Sequence, residues 1–298
     1  MTLRTKIESG KFIVCAEIEP PKSSNGDVIR RKAGQLDGIV DAVNLTDNQT
    51  AIVHLSSIAA AKILLEEGLE PIMQMTCRDR NRLGIQSDLL GAAALGIHNV
   101  LCLTGDHQKF GDQPEAKGVF DLDSIQLVAM VDQLNKGRLL SGQEMKQATG
   151  FLIGAAANPF AKPFEMRLIR LHKKIQAGAR FIQTQPVFDL PLFTRWMERV
   201  VDQGLHENCA ILAGVMPIRT AKTIEYMRLN VSGIKINEDH IRRLNSSSDP
   251  ESEGVSIAVE TINTLKEIKG LRGIHLMPAR WLDSVPVIVR EAGLKSIN

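Results

Sequence analysis

The feature that most constrains the fold of this 298-residue chain is a repeated unit: a helical pattern, a glycine, a short apolar run and a polar tip. The clearest copy places Leu89 and Leu90 in a helical pattern, followed by Gly96, the apolar run 99–103 and the tip 104–106. The run is typical of a short buried strand, because it is apolar and ends where Thr-Gly-Asp must turn. The strand therefore carries a carboxylate at its C-terminal end.

The unit recurs along the whole chain. We predict eight strands, over residues 12–18, 38–44, 71–76, 99–103, 151–157, 180–185, 210–213 and 273–277. Five of them are preceded by a glycine that ends the helix before it: Gly68, Gly96, Gly178, Gly204 and Gly273. Strands that alternate with helices pair in parallel, so we predict one (β/α)8 TIM barrel domain over residues 1–298. A doubly wound sheet is the alternative, but no G-x-G-x-x-G follows the first strand.

Polar residues stand at the C-terminal ends of the predicted strands, where a parallel barrel builds its active site. We expect these side chains to converge at one face of the barrel: Glu17, Thr46, Asp106, Gln185 and Arg280.

Composition and charge exclude several classes of function. With 36 basic and 34 acidic residues the net charge is +2, which gives no field to attract nucleic acid. No apolar run is long enough to cross a membrane, and the N-terminus lacks a signal-peptide core. We therefore expect a cytoplasmic protein.

The cysteines and histidines predict neither a disulfide framework nor a metal site. No C-x-x-C pair occurs, so we expect buried thiols at Cys15, Cys77, Cys102 and Cys209. The histidines lack the spacing of metal ligands and are interpreted as structural or surface residues: His54, His98, His107, His172, His206, His240 and His275.

The motifs at the strand ends, taken together, resemble those of the methylenetetrahydrofolate reductase family. They keep their order over about residues 10–295, and they are the segments 16–21, 45–46, 75–77, 103–106, 184–185, 188–189 and 278–280. The resemblance implies flavin-dependent reduction of 5,10-methylenetetrahydrofolate to 5-methyltetrahydrofolate, with hydride transfer from N5 of reduced flavin. Glu17 stands at the family's general-acid position, and Asp106 matches the catalytic aspartate near the flavin and the pterin.

The resemblance also implies how cofactor and substrate are bound. Gln185 matches a glutamine that binds the pterin amide edge, and Arg280 matches an arginine near the aminobenzoyl-glutamate part, so both join Glu17 and Asp106 as substrate-binding residues. The flavin positions fall on Thr46, Gln74, Leu103, Thr104, Gly105, Asp106, Phe120, Asp121, Asn158, Arg170, Lys173 and Lys174. The expected cofactor is FAD. FMN stays open, since Arg167 replaces an acidic residue expected to contact the adenosine part.

The electron donor and the assembly stay open. Ala221 stands where NADH-using members stack an aromatic residue on the nucleotide, so the donor is either NAD(P)H or a cysteine-rich partner subunit, as in anaerobic one-carbon pathways. A homo-oligomer is also allowed. Two rival functions remain: a flavin- or folate-binding subunit of a larger redox complex without turnover of its own, and a lyase with a Schiff-base lysine at Lys22 or Lys235.

Overall fold

Eight parallel strands close into a barrel in the computed structural model, which describes residues 1–230 and 237–294. Strands β1 to β8 are Ile13–Ile18, Ala42–Leu45, Pro71–Thr76, Asn99–Leu103, Leu152–Ala157, Phe181–Pro186, Ala210–Val215 and Leu271–Leu276. Strand β1 pairs with β2 on one side and with β8 on the other, which closes the sheet. The predicted (β/α)8 barrel is confirmed.

Helices surround this barrel and connect its strands. Helices α1 to α11 are Leu3–Glu8, Asp27–Gly34, Ser57–Glu66, Arg82–Ala94, Ser124–Asn135, Phe164–Ala177, Leu190–Asp202, Ala221–Asn230, Glu238–Ser246, Pro250–Lys266 and Ser284–Glu291. Short 3-10 helices at Gln49–Ala51 and Gln108–Phe110 lie in the loops after β2 and β4. Asp249 caps α10 and Pro250 stands in its first turn.

Apolar residues fill two layers. The larger core lies between the strands and the helices, and it includes the fully buried Trp196. A smaller cluster fills the inside of the barrel, where the Phe181 ring occupies the space that a side chain at Gly154 would need. Leu3 of α1 is fully buried in the same cluster. Since the barrel interior is packed, ligands can enter only at its ends.

Two sequence predictions are wrong: where the second strand begins, and that Gly273 ends the helix before the eighth strand. The second strand begins at Ala42 rather than at Gly38, whose left-handed conformation with φ +70° does not fit a strand. Gly273 lies inside β8, and the left-handed glycine before that strand is Gly270. A Cβ at Gly273 would lie 2.3 Å from the carbonyl oxygen of Ile13 on β1, so glycine is required by close strand packing rather than by a turn.

All four cysteine side chains are buried, as predicted. Burial raises the pKa of the Cys77 thiol to about 12, which keeps it protonated at neutral pH. No helix in the described part of the chain is both long and apolar enough to span a bilayer.

Candidate active site

A cavity of about 420 Å³ opens at the C-terminal ends of the strands. Eleven of the predicted residues line it: Glu17, Thr46, Gln74, Leu103, Thr104, Gly105, Asp106, Asn158, Arg170, Lys174 and Gln185. Another cavity, of about 340 Å³, lies beside α1 at the opposite end of the barrel and contains none of them. The barrel therefore brings residues from distant parts of the sequence to one site.

The Glu17 carboxylate stands near the end of β1 and has two close polar neighbours. Its Oε2 accepts a hydrogen bond from Gln74 Nε2 at 3.0 Å, and His275 Nε2 lies 3.8 Å away. The Glu17 side chain is 21% exposed, whereas that of His275 is 3% exposed. Glu17 can thus exchange a proton with a ligand in the cavity. We expected His275 to be a structural or surface residue. The only sequence signal of its position in the site is that His275 is a polar residue within an apolar predicted strand.

An amide pair lies deep in the barrel, and one of its two members, Gln183, lines the cavity. Asn44 Nδ2 donates to Gln183 Oε1 at 2.7 Å, and Gln183 Nε2 donates to Asn44 Oδ1 at 3.0 Å. Both side chains are buried, and Asn44 is the register partner of Glu17 on the neighbouring strand. Because each amide satisfies the other, the pair gives the site a rigid polar base. The sequence gives no signal that these two amides meet.

Asp106 follows β4 and lies exposed at the mouth of the cavity. Its Oδ2 accepts a hydrogen bond from the backbone N–H of Thr50 at 3.1 Å, and its carbonyl oxygen accepts one from Arg78 at 3.3 Å. The carboxylate is consequently held at the rim, where it can act on a cationic ligand. Arg78 also lines the cavity and was not predicted.

The other end of the cavity is cationic. Arg167, Arg170 and Lys174 line it from α6, and Lys174 Nζ donates to the carbonyl oxygen of Ala156 at 2.6 Å. Within residues 1–230 and 237–294, none of these three cations forms a salt bridge with a carboxylate. Burial, with Arg170 nearby, lowers the pKa of Lys174 to about 8. An anion bound here would stabilise the charged lysine, so this end fits a phosphate group.

Four predicted site residues lie outside this cavity. Lys173 is exposed, and Phe120 is 37% exposed. Asp121 pairs with Arg82 at 2.7 Å, and hydrogen bonds from Arg82 lower the pKa of the Asp121 carboxyl to about 2. Arg280 is exposed and lines an adjoining cavity of about 250 Å³, which it shares with Glu17.

Of the two lysines of the lyase hypothesis, the structure describes only Lys22, which is not among the residues that line the cavity. Lys22 is exposed, and Lys235 lies outside the described residues. The exposed amine of Lys22 lacks the burial that activates a Schiff-base lysine.

Comparisons with known proteins identify relatives of the whole chain. The family model described as methylenetetrahydrofolate reductase matches residues 2–293. Methylenetetrahydrofolate reductase 2 of Schizosaccharomyces pombe is 26% identical over 97% of this chain and 46% of that protein. The 5,10-methylenetetrahydrofolate reductase of Pectobacterium carotovorum is 26% identical over 70% of this chain and 64% of that protein.

Solved structures share the fold. A Clostridium thermocellum protein described as binding two copies of 5-methyl-5,6,7,8-tetrahydrofolic acid has a TM-score of 0.69 at 16% identity, covering 97% of this chain and 98% of that chain. A 2,3-dimethylmalate lyase has a TM-score of 0.53 at 12% identity, covering 98% of this chain and 85% of that chain. At these identities the likeness shows the barrel alone.

The chain spans less than half the length of the yeast relatives that it matches, 46% for the Schizosaccharomyces pombe protein and 47% for methylenetetrahydrofolate reductase 2 of Saccharomyces cerevisiae. The family model nevertheless matches almost all of the chain. The chain therefore belongs to the methylenetetrahydrofolate reductase family.

Proposed function

We propose that this chain binds a flavin nucleotide and reduces 5,10-methylenetetrahydrofolate to 5-methyltetrahydrofolate. One observation carries the proposal: the carboxylates of Glu17 and Asp106 line the same cavity as the cations Arg170 and Lys174. The carboxylates suit a substrate that becomes cationic as it reacts, and the cations suit the phosphate of a nucleotide. Membership of the family supports the same assignment.

The residues present fit a flavin. Arg170 and Lys174 would hold its phosphate, while Thr46, Gln74 and the backbone around Gly105 offer hydrogen bonds to its ring. When bound, the reduced flavin supplies a hydride from N5. We propose FAD as the cofactor, with FMN as the second candidate. The Phe120, Asp121 and Lys173 positions stay predictions for the outer part of the nucleotide.

The side chains of this chain supply the proton and the orientation. Opening the five-membered ring of the substrate requires a proton at a nitrogen, and Glu17 is placed to give it. Because Glu17 Oε2 accepts the hydrogen bond from Gln74, the second carboxyl oxygen, Oε1, is the one that would carry the proton. A carboxylate such as Asp106 at about 5 Å from the resulting cation would favour it by roughly 3 kcal/mol at an effective dielectric of 20.

The folate would lie across the mouth of the barrel. Gln185 is exposed at the end of β6 and lines the main cavity, where its amide can pair with the pterin. Arg280 lines the adjoining cavity, where its guanidinium can bind a carboxylate of the glutamate tail.

The electron donor is proposed to be a protein partner rather than free NAD(P)H. Among the described residues that line the main cavity there is no Phe, Tyr or Trp to stack on a nicotinamide nucleotide. Ala221, at the start of α8, offers a methyl group in place of an aromatic ring. Steady anaerobic oxidation of NADH or NADPH by the purified, flavin-loaded chain at ordinary turnover rates, with 5,10-methylenetetrahydrofolate as the electron acceptor, would contradict the proposal of a protein donor. We also place the chain in the cytoplasm, since its buried thiols suit a reducing compartment.

The test is formation of 5-methyltetrahydrofolate by the purified, flavin-loaded chain with reduced methyl viologen as donor. Glu17→Gln should lower kcat about 10²- to 10⁴-fold, because it removes the proton donor, and should leave bound flavin unchanged. Glu144→Gln is the matched control, since Glu144 forms a surface ion pair with Arg138 and is 80% exposed. Unchanged turnover by Glu17→Gln would refute the acid assignment. If the chain binds flavin and folate but forms no product, the result would favour the rival function, a binding subunit that needs another chain for turnover.

A further inference from the structure

The segment 78–82, directly after β3, carries three alternating arginines that the proposed reaction does not use. Arg78, Arg80 and Arg82 each bind groups on a neighbouring loop. Arg78 is the most buried, with 1% of its surface exposed. Burying a guanidinium is costly unless its donors are satisfied, so its contacts indicate a specific role.

Arg78 joins three loops through one guanidinium. Its Nη2 donates to the carbonyl oxygen of Asn48 at 3.0 Å, in the loop after β2, and its Nη1 donates to the carbonyl oxygen of Asp106 at 3.3 Å, in the loop after β4. Its Nε and Nη2 also bind the two carboxylate oxygens of Asp79, at 2.7 and 2.6 Å. The Asp79 bidentate pair orients the plane of the guanidinium toward the two carbonyls.

Arg80 fixes the root of the loop after β2. Its two terminal nitrogens bind the two carboxylate oxygens of Asp47 at 2.8 and 3.2 Å, and its Nε binds Asp88 at 2.9 Å. Asp47 Oδ2 also accepts hydrogen bonds from the backbone N–H and the hydroxyl of Thr76, both at 2.9 Å. The end of β2 is thereby attached to the end of β3, which leaves Arg78 to attach the more distant loop after β4.

We propose that Arg78 is a positioning residue that holds the loops after β2 and β4 together, so that the Asp106 carboxylate stays at the mouth of the cavity. This inference rests on the proposed function for the part that Asp106 plays. Within the described chain, the hydrogen bond from Arg78 goes to the Asp106 carbonyl and not to its carboxylate, which Thr50 N–H orients instead. Arg78 therefore fixes the position of the Asp106 backbone without using the carboxylate as its hydrogen-bond acceptor, although the guanidinium charge lies close enough to act on that carboxylate.

Arginine, rather than lysine, suits this position. The acceptors of Asn48, Asp79 and Asp106 surround a planar group whose donors point in fixed directions. An ammonium at the end of a lysine keeps the charge but cannot reach acceptors on all three loops at once. Arg78→Lys therefore separates positioning from charge.

The first test is hydrogen–deuterium exchange of the flavin-free chain, which needs neither cofactor nor substrate. In Arg78→Lys, amides in peptides covering residues 47–53 and 104–112 should exchange about tenfold faster, while those of α10 keep their rate. Arg138→Lys, which changes an exposed ion pair with Glu144, is the matched control and should alter neither loop. If the two loops of Arg78→Lys exchange at the same rates as those of the wild-type chain, the proposal is overturned. If Arg78→Lys does not fold, Asp79→Asn should show the same change in the same two loops.

The second test asks whether Arg78 acts through Asp106. Arg78→Lys should lower kcat for folate reduction about 10- to 100-fold in the wild-type background and less than about twofold in the Asp106→Asn background. The loss of thermal stability should be equal in both backgrounds. An equal fold-loss of kcat in both would show a merely structural role and overturn the proposal. If the wild-type chain makes no product, the proposed reaction fails, and the exchange experiment still decides whether Arg78 holds the two loops.

Discussion

Lys174 stands where the polar cavity meets the apolar layer beneath α6. Its ammonium donates to the Ala156 carbonyl oxygen and is buried, with Arg170 nearby, which disfavours its charged form. The neighbouring Lys173 has the same chemistry but is exposed. This pair of adjacent lysines allows the effect of burial to be separated from the effect of charge.

Flavin affinity should depend on pH through Lys174. Its pKa of about 8 in the free protein means that the ammonium is charged below pH 8 and must regain a proton to bind a phosphate above it. Affinity should therefore be constant below pH 8 and fall above it by up to about tenfold per pH unit, until the pKa of the flavin-bound form is reached. Flavin titrations monitored by fluorescence quenching check this. Lys174→Gln should bind flavin weakly at every pH, whereas Lys173→Gln should keep the loss of affinity above pH 8. A flavin affinity of the wild-type chain that does not change with pH would contradict the assignment to Lys174.

The same pKa shift predicts a stability change with the opposite direction. The folded chain binds fewer protons at Lys174 than the unfolded chain between about pH 8 and the ordinary lysine pKa of 10.5. Lys174 therefore makes the free energy of unfolding increase as pH rises through this window. Lys174→Met should lose that rise in urea unfolding of the flavin-free chain, and an unaltered pH profile in the variant would count against a buried, shifted lysine.

At the scale of elements, the loops after β2, β3 and β4 form one packed unit around Gly105. The Gly105 backbone is left-handed, with φ +89°, and a Cβ there would lie 2.9 Å from Arg78 Cβ. The turn therefore needs glycine twice, for its backbone conformation and for the close approach of Arg78.

Substituting Gly105 should separate these two needs. Gly105→Ala should lower the free energy of unfolding by more than Gly96→Ala, because Gly96 has a similar φ of +84° but nothing within 4 Å of its would-be Cβ. The strain of a left-handed alanine costs about 1–3 kcal/mol at both sites, and the clash adds to it only at Gly105. Urea unfolding measures both. Equal losses of unfolding free energy in the two variants would mean that the structure accommodates the alanine methyl group against Arg78 at no energetic cost.

The sequence was informative for these elements where the signal is local. The apolar run 99–103 and the Thr-Gly-Asp turn after it placed β4 and its polar tip correctly. The close packing of Gly273 on β1 and the contacts of Arg78 depend on residues far away in the sequence, so no local pattern revealed them. Helices α1, α8 and α9 were missed as well. Of these, α9 has its apolar contacts in a small side cluster with Ile218 and Ile257.

At the scale of the whole molecule, the two ends of the barrel serve different purposes. Helix α1 closes the N-terminal end, where Leu3 is buried among the interior residues and its backbone N–H donates to Glu70. The cavity with the candidate catalytic residues occupies the other end. Stability and ligand binding should therefore respond separately to mutations at the two ends.

Leu3→Ala should test this separation. Removing a fully buried leucine side chain should lower the free energy of unfolding by about 2–5 kcal/mol and leave flavin affinity unchanged below the unfolding transition. Leu83→Ala is the control, because Leu83 is 74% exposed and should change stability by no more than about 0.5 kcal/mol. Chemical unfolding and flavin titration give the two readouts, and a parallel loss of flavin affinity in Leu3→Ala would show that the ends are coupled.

The measurement that tests the central claim most directly is a single anaerobic turnover. The flavin-loaded chain is reduced with dithionite, freed of excess reductant and mixed with 5,10-methylenetetrahydrofolate. We expect the absorbance of oxidised flavin to return, with one 5-methyltetrahydrofolate formed per flavin, and Glu17→Gln to slow the return about 10²- to 10⁴-fold. Flavin that stays reduced in the wild-type chain, or that is reoxidised without forming methylated folate, would contradict the proposed function.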